Sequence, residues 1–328
     1  MITLYREENK KLIISRKKNG DALPTIKDRS WIDITVPNLD MLSKISKKTK
    51  IPLEMLTSSL DSEESAHIDN EDGNTLIVVD VPIDVEKRKK KETIETFETV
   101  PYIIAFNENY IVTLCKNDTK LAQKVISKNK RVAPHKHVRL VLLILLTLAQ
   151  QFILDLKKVD RLSRNLELKL HTSQKNNELF GLMELNKVLV YFSTALNADK
   201  VVSEKLKRNT EFQMYEEDFD LMDDVQVELN QAIEMCSIYR GILSVMLDSF
   251  SSIINNNLNN VMKILAIITI VISIPTLVAS FYGMNVQGLP VPEGPIAFYV
   301  ILGGSVALAL LGALLIVFLV KLTGGKRK

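Results

Sequence analysis

"ILAIITIVISIPTLVASFY", residues 264–282, carries no charged side chain over 19 positions. As a helix rising 1.5 Å per residue it spans about 28 Å, close to the thickness of a bilayer's hydrocarbon core. Residues 296–320, "IAFYVILGGSVALALLGALLIVFLV", form a second uncharged run of 25. Only 13 residues, 283–295, join them, so two spanning helices here must run antiparallel. Lys263 flanks the first run, and Lys321, Lys326, Arg327 and Lys328 follow the second, while the connection has no Lys or Arg. The positive-inside rule therefore predicts cytoplasmic termini and a cytoplasmic N-terminal region.

Charge is segregated along the chain. The whole has 42 basic and 39 acidic residues, but Glu293 is the one charged side chain in 264–320. A net charge of +3 argues against a nucleic-acid partner. Two cysteines, Cys115 and Cys236, cannot build a disulfide framework, and a reducing setting follows for the large part. The opening "MITLYREENKK" lacks the apolar core of a signal peptide. There is no Gly-rich phosphate loop and no nucleophile elbow, so the chain does not read as an enzyme. His67, His135, His137 and His171 lack metal-ligand spacing, and Pro134 and Lys136 suggest a surface loop around His135 and His137. "LVLLILLTLA", 140–149, is too short to span and is bracketed by Arg139, Gln150, Gln151 and Asp155; a buried soluble helix is expected.

The N-terminal part alternates short β-like and helical runs, which predicts an α/β domain. "WIDITV" (31–36) and "TLIVVDV" (75–81) read as strands, and "YIIAF" and "YIVTL" flank Asn107-Glu108-Asn109 as a hairpin. "NLDMLSKISKKT" and "DTKLAQKVISKN" read as helices. From about Val138 the chain is helical, with a turn near 173–177 and a break near Asn209. Then Met222, Val225, Leu229, Ala232, Cys236, Tyr239, Leu243, Met246, Phe250 and Ile253 recur at spacings of three and four. This is a packing seam on one helix that runs from Glu216 through the first span.

At the membrane the helix changes character. "NNNLNN", 255–260, holds five amides. A stripe of Asn259, Met262, Ala266, Thr269, Ser273, Thr276 and Ser280 follows, again at three and four. Small and hydroxylated residues there serve either close helix packing or a pore lining. One helix cannot enclose a pore, so the lining requires an oligomer. The asparagines favour it. Gly303, Gly304, Ala307, Gly312 and Ala313 would let the second span pack on the first.

"YGMN", 282–285, ends the first span, preceded by "NNVMKILAIITIVISIPTLVASF" and followed by a short loop and a basic tail. In this position, with two C-terminal spans after a long charged region, the motif resembles the CorA family of magnesium transporters. The match is close over roughly 255–295. The resemblance implies an α+β membrane protein with a cytoplasmic α/β domain, a long helical stalk and two transmembrane helices, assembled as a homopentamer in a prokaryotic plasma membrane. It implies a selectivity filter at Gly283, Met284 and Asn285. It implies a pore lined by Asn259, Met262, Leu265, Ser273 and Thr276; the stripe shares four of these and does not separate Leu265 from Ala266. Mg²⁺ would be both cargo and regulatory ion, with no other cofactor. Family loops carry several acids to gather cations, whereas here Glu293 stands alone and Gln287 follows the motif. Ser273 occupies the place of a frequent methionine constriction.

"YEEDFDLMDDVQVE", 215–228, has seven acids in fourteen residues. Acids at a helix start complement its dipole. The family resemblance adds a bound Mg²⁺ that holds the pore shut, with Asp224 as the helix ligand, Asp223 and Asp220 nearby, and Asp80 or Asp84 of the next subunit as partner. The segments expected are 1–135 (α/β), 136–210 (helical hairpin), 211–263 (stalk), 264–282 (first span), 283–295 (outer loop), 296–320 (second span) and 321–328 (tail). The function implied is Mg²⁺ influx, with Co²⁺ and Ni²⁺ as further cargo. Zinc transport is the alternative cargo, and a membrane-anchored sensor or scaffold the alternative class.

Overall fold

The computed structural model describes residues 1–8, 11–17, 25–62, 64–85, 96–129, 131–173, 176–209, 212, 214–284 and 296–324. The chain divides into two compact units, Met1–Leu247 and Asp248–Lys328.

In the first unit, strands β1 (Ile2–Glu8), β2 (Lys11–Lys17), β3 (Ser30–Thr35), β4 (His67–Glu71), β5 (Asn74–Val85), β6 (Thr96–Phe106) and β7 (Tyr110–Cys115) form one seven-stranded sheet in the order β2-β1-β3-β7-β6-β5-β4. The alternation in the sequence predicts α/β, but β3–β7 is the one parallel pair and the other neighbours are antiparallel. Hairpins explain this. The expected turn at Asn107 is present: its carboxamide oxygen accepts the N–H groups of Asn109 and Tyr110, both at 3.1 Å, replacing a backbone turn. The β4–β5 turn uses Asp72 and Gly73 at φ 48° and 75°, the left-handed pair that suits the strands' twist.

Helices α1 (Leu39–Thr49) and α2 (Leu53–Thr57) pack with one face of this sheet. Asn38 starts α1 by accepting the Met41 N–H at 2.9 Å. Leu42, Ile45, Ile51 and Leu56 are fully buried there with Ile32, Ile34 and Val112. The other face takes α4 (His137–Ser173) and α5 (Asn176–Arg208); α3 (Leu121–Lys128) lies against α4. Phe192 of α5 meets Phe97 and Phe152 edge-on, at 6.1 and 5.2 Å between centroids. The apolar run 140–149 is in α4 and its leucines are buried, Leu145 and Leu148 completely. By length and hydropathy alone α4 and α5 would qualify as spans; burial of their apolar faces in the first unit removes the need for lipid.

Asp33 of β3 is a carboxylate inside this unit. It accepts the Thr113 hydroxyl at 2.8 Å and the Tyr102 hydroxyl at 3.4 Å, while Thr113 accepts the Trp31 indole N–H. Burial outweighs those bonds and pushes its pKa up to about 6. A folded pKa above the unfolded one means the charged form is penalised. Stability is complete below the unfolded value of 3.8 and is lost as pH rises through about 6. Asp33→Asn keeps an acceptor oxygen and drops the charge. It is expected to stabilise the unit by about 3 kcal/mol at pH 8 and by almost nothing at pH 4, read from thermal unfolding at both pH values.

Helix α6 covers Glu216–Tyr282 without a break, passing through Pro275. Its seam is buried as the spacing predicts: Met222, Val225, Leu229, Ala232, Cys236, Leu243 and Phe250 are inside, and Ile253 is 39% exposed. Within the first unit the partner is α5, since Cys236 Sγ lies 3.2 Å from the Leu189 carbonyl and Ser203 Oγ 3.7 Å from Met222 Sδ. Asp218 closes the helix start by accepting the Tyr215 N–H at 3.1 Å and pairing with Arg139 of α4 at 3.0 Å.

In the second unit α7 (Ala297–Gly324) packs beside α6. A Cβ at Gly312 would lie 3.2 Å from Ile274 Cδ1, so glycine there allows the close approach. Ala309 and Ser305, one and two turns earlier, are 3% and 5% exposed. Gly303 and Gly304 do not share this contact: a Cβ on either meets nothing within 4 Å. The packing row is 305-309-312, and 303 and 304 lie off it by a helical step. Gly312→Leu is expected to cost about 1–3 kcal/mol through overpacking. Gly304→Leu should leave the α6–α7 pair intact. Thermal unfolding of the detergent-solubilised protein separates the two.

Candidate functional site

Along the apolar C-terminal part of α6, Ile267, Val271, Ile274 and Val278 are half-covered, as is Pro275, while the other residues between them stand exposed. At about 100° per residue these four form one face, the side on which Gly312 meets Ile274. Met262, Ala266, Thr269, Ser273, Thr276 and Ser280 form a second face, with its centre roughly 160° away. Packing against α7 therefore does not account for the small, hydroxylated stripe. Leu265 and Ala266 are both exposed beside it. Continuing toward the N-terminus, the same face carries Asn259, Asn255 and Asp248, all exposed. Asn255 belongs to the amide cluster already noted, while Asp248 escapes the sequence although the three-and-four spacing marks it.

The hydroxyls on this face are arranged alike. Thr269 donates to the Leu265 carbonyl at 2.9 Å, Ser273 to Thr269 at 2.7 Å and Thr276 to Ile272 at 2.8 Å. Each proton is used within the helix, so each oxygen presents lone pairs outward. A row of acceptors without donors suits a cation or the hydrogens of its water shell. It also keeps those oxygens from needing any other partner in an apolar setting.

At the end of α6, the Gly283 N–H bonds to the Ala279 carbonyl at 2.9 Å. A Cβ on Gly283 would sit 3.2 Å from that same oxygen, which is backbone and cannot swing away. Glycine thus eases the close helix end, where a Cβ would need the backbone to give by a few tenths of an ångström. Met284 is 52% exposed. Asn285, Gln287 and Glu293 lie outside the described residues.

The acidic segment is not uniform. Asp218 pairs with Arg139, and Asp223 pairs with Lys207 at 2.7 Å. Asp220 and Asp224 are exposed, with no ion pair among the described residues. Asp84 is exposed on β5. Asp80 is half-buried, and its N–H donates to Asp199 of α5 at 2.8 Å. Within one chain the structure thus joins Asp80 to Asp199. Asp199 is absent from the sequence reading, yet it had a signal: it falls on α5's apolar row 182-185-189-192-196-199-203-206.

Of the two neighbouring histidines, His135 lies in an exposed turn as expected, and His137 departs from the surface loop. His135 is exposed, with Nδ1 3.4 Å from the Glu7 carboxylate. His137 opens α4, its ring 5.8 Å from Phe106 and its Nε2 buried without a hydrogen-bond partner. Burial, and secondarily His135, lowers its pKa to about 4, so it is neutral near pH 7.

Residues 27–326 match the family model described as "CorA-like Mg2+ transporter protein". The chain is 27% identical over 286 residues to the cobalt/magnesium transport protein CorA of Methanocaldococcus jannaschii, covering 86% of this chain and 87% of that one. The complete structure of the CorA magnesium transporter of that organism superposes with a TM-score of 0.75 at 25% identity, over 98% of this chain and 97% of that chain. The full-length CmaX protein shares the fold, with a TM-score of 0.67 at 15% identity over 96% of each chain. The same holds for the ZntB cytoplasmic domain of Vibrio parahaemolyticus, at 0.58 and 10%, over 77% of this chain and 98% of that one. With matching sequence from just before β3 to beyond the end of α7, this chain belongs to the CorA-like Mg²⁺ transporter family.

Proposed function

We propose that five copies of this chain form a membrane channel that admits Mg²⁺ down its electrochemical gradient. The observation that carries this is the row of acceptor oxygens on α6, on the face turned away from α7. Five such rows around an axis would enclose a polar path through an apolar layer, while α7 forms the outer layer. Helices α6 and α7 are long and apolar enough to cross a membrane, with almost none of their apolar windows buried in the chain. The stalk part of α6 supports an oligomer as well. Val227, Ile238, Ile242 and Val245 are 49–66% exposed on the side opposite its buried seam, an apolar strip that neighbouring copies would cover.

Mg²⁺ holds its water tightly. Neutral oxygens that accept hydrogen bonds from that shell bind it weakly enough for release, as conduction requires. Asn285 would present such an oxygen at the outer mouth, with Glu293 attracting cations to it. A membrane potential supplies about 2.3 kcal/mol per charge per 100 mV, twice that for a divalent ion. Both termini lie in the cytoplasm in this reading, and cytosolic Mg²⁺ at Asp224 closes the channel. Purified protein in liposomes is expected to pass Mg²⁺ when a negative interior potential is imposed, and to pass it in preference to Zn²⁺. An intact oligomer that passes no divalent cation overturns the proposal; a preference for Zn²⁺ replaces the cargo.

A further inference from the structure

Asp199 is an acid in an apolar row and is itself 0% exposed. Its Oδ1 accepts the Asp80 N–H, and its Oδ2 is buried with no hydrogen-bond partner. An unsatisfied buried acceptor costs on the order of 1–3 kcal/mol, and more when charged. Burial, and secondarily the Asp80 carboxylate, push the Asp199 pKa well up; burial also raises that of Asp80. No positive group among the described residues offsets this at Asp199.

The strand geometry shows what else stands there. β4 accompanies β5 only as far as His67 opposite Val78. From Val79 onward β6 is the one described strand beside β5. Asp80 faces Pro101 of β6, which has no N–H to give, and sends its own N–H outward to Asp199. In an antiparallel ladder a residue directs its N–H and C=O to the same side. The carbonyl oxygens of Asp80 and Pro82 therefore point to that outer edge too. The Asp199 carboxylate and these outward carbonyls thus share the edge that α5 crosses.

We propose that Asp80 and Asp199 are the carboxylate ligands of a divalent-cation site within a single chain, completed by strand-edge carbonyl oxygen and water. Mg²⁺ is the class of ion that fits: it takes one or two carboxylates, prefers hard oxygen and retains several waters. The ion would clip α5 to the open edge of β5, and its charge would satisfy the Oδ2 that the protein leaves alone. The site needs neither a pore nor a second copy of the chain, so it stands or falls separately from conduction.

The test counts ions on the full chain in detergent, stripped of metal, with Mn²⁺ as the paramagnetic probe and Mg²⁺ as competitor. Asp199→Asn keeps an oxygen for the Asp80 N–H and removes the charge; Asp80→Asn leaves its backbone bond untouched. Each variant is expected to bind one Mn²⁺ per chain fewer than the wild type. Mg²⁺ is expected to displace that ion from the wild type and to raise its unfolding temperature more than that of either variant. A wild-type count in either folded variant overturns the site and leaves Asp199 as a buried neutral acid. If Asp199→Asn does not fold, Asp199→Ser is read in its place, because Asp80 is also a partner expected of Asp224 and its loss alone does not single out this site. An ion that Mg²⁺ fails to displace overturns the assigned class.

Discussion

Asn285→Ala is expected to abolish selective Mg²⁺ uptake, by at least about 100-fold, while leaving a folded oligomer. A loss of that size corresponds to about 2.7 kcal/mol, modest for the five amide oxygens that the proposed pentamer would lose at once. The alanine cannot accept hydrogen bonds from the ion's water, so nothing at the mouth offsets the cost of drawing the hydrated ion into a narrow apolar entrance. Asn285→Asp acts differently, because in the proposed pentamer five carboxylates would replace five dipoles. It is expected to bind cations more tightly, to slow their release and to weaken discrimination against Ca²⁺, which accepts carboxylate cages readily. Liposome flux with Mg²⁺ and Ca²⁺, beside a check of assembly, reads both outcomes. Normal selective flux in the alanine variant would remove the central role given to this amide.

Asp224→Ala is expected to shift closure to at least about tenfold higher cytosolic Mg²⁺. The structure narrows the choice within the acidic segment. Asp218 and Asp223 already have Arg139 and Lys207 as partners, so a metal gains less from them. Asp224 is exposed on the stalk and free to meet a neighbouring copy. Carboxylates gathered at a subunit boundary repel one another until a cation joins them, and an ion that binds only the closed packing shifts the population toward it. Asp224→Lys would place an ammonium near the missing ion and partly mimic closure, so the two substitutions should move flux in opposite directions. Misfolding would lower both. Asp223→Ala serves as the control and is expected to shift the midpoint less. If Asp224→Ala closes at the wild-type concentration, the acid is a solvated helix start and regulation lies elsewhere in 215–228.

The features legible in the sequence are those that local periodicity encodes. An uncharged run of 19 residues marks a helix suited to lipid because every missing charge is visible in one window. The α6 seam was legible because burial on a helix repeats every three to four residues, and Met222 to Phe250 obey it. The Asn107 hairpin follows from short-range turn chemistry.

Other features depend on surfaces that meet across long sequence separations. β1 lies in the sheet because Ile2 and Leu4 stand opposite Ile34 and Ile32 of β3, a pairing that a polar stretch such as "YREE" does not announce. β4 alternates too weakly to stand out and is held by β5. Which side of α6 is covered was open in the sequence, where packing and pore lining use the same small residues. Contact of Gly312 with Ile274 assigns the covered side and leaves the hydroxyl row on the other. The sequence shows an acid at position 199 in an apolar row. Only the tertiary structure brings it to Asp80, 119 residues away, because α5 crosses β5 where β4 has ended.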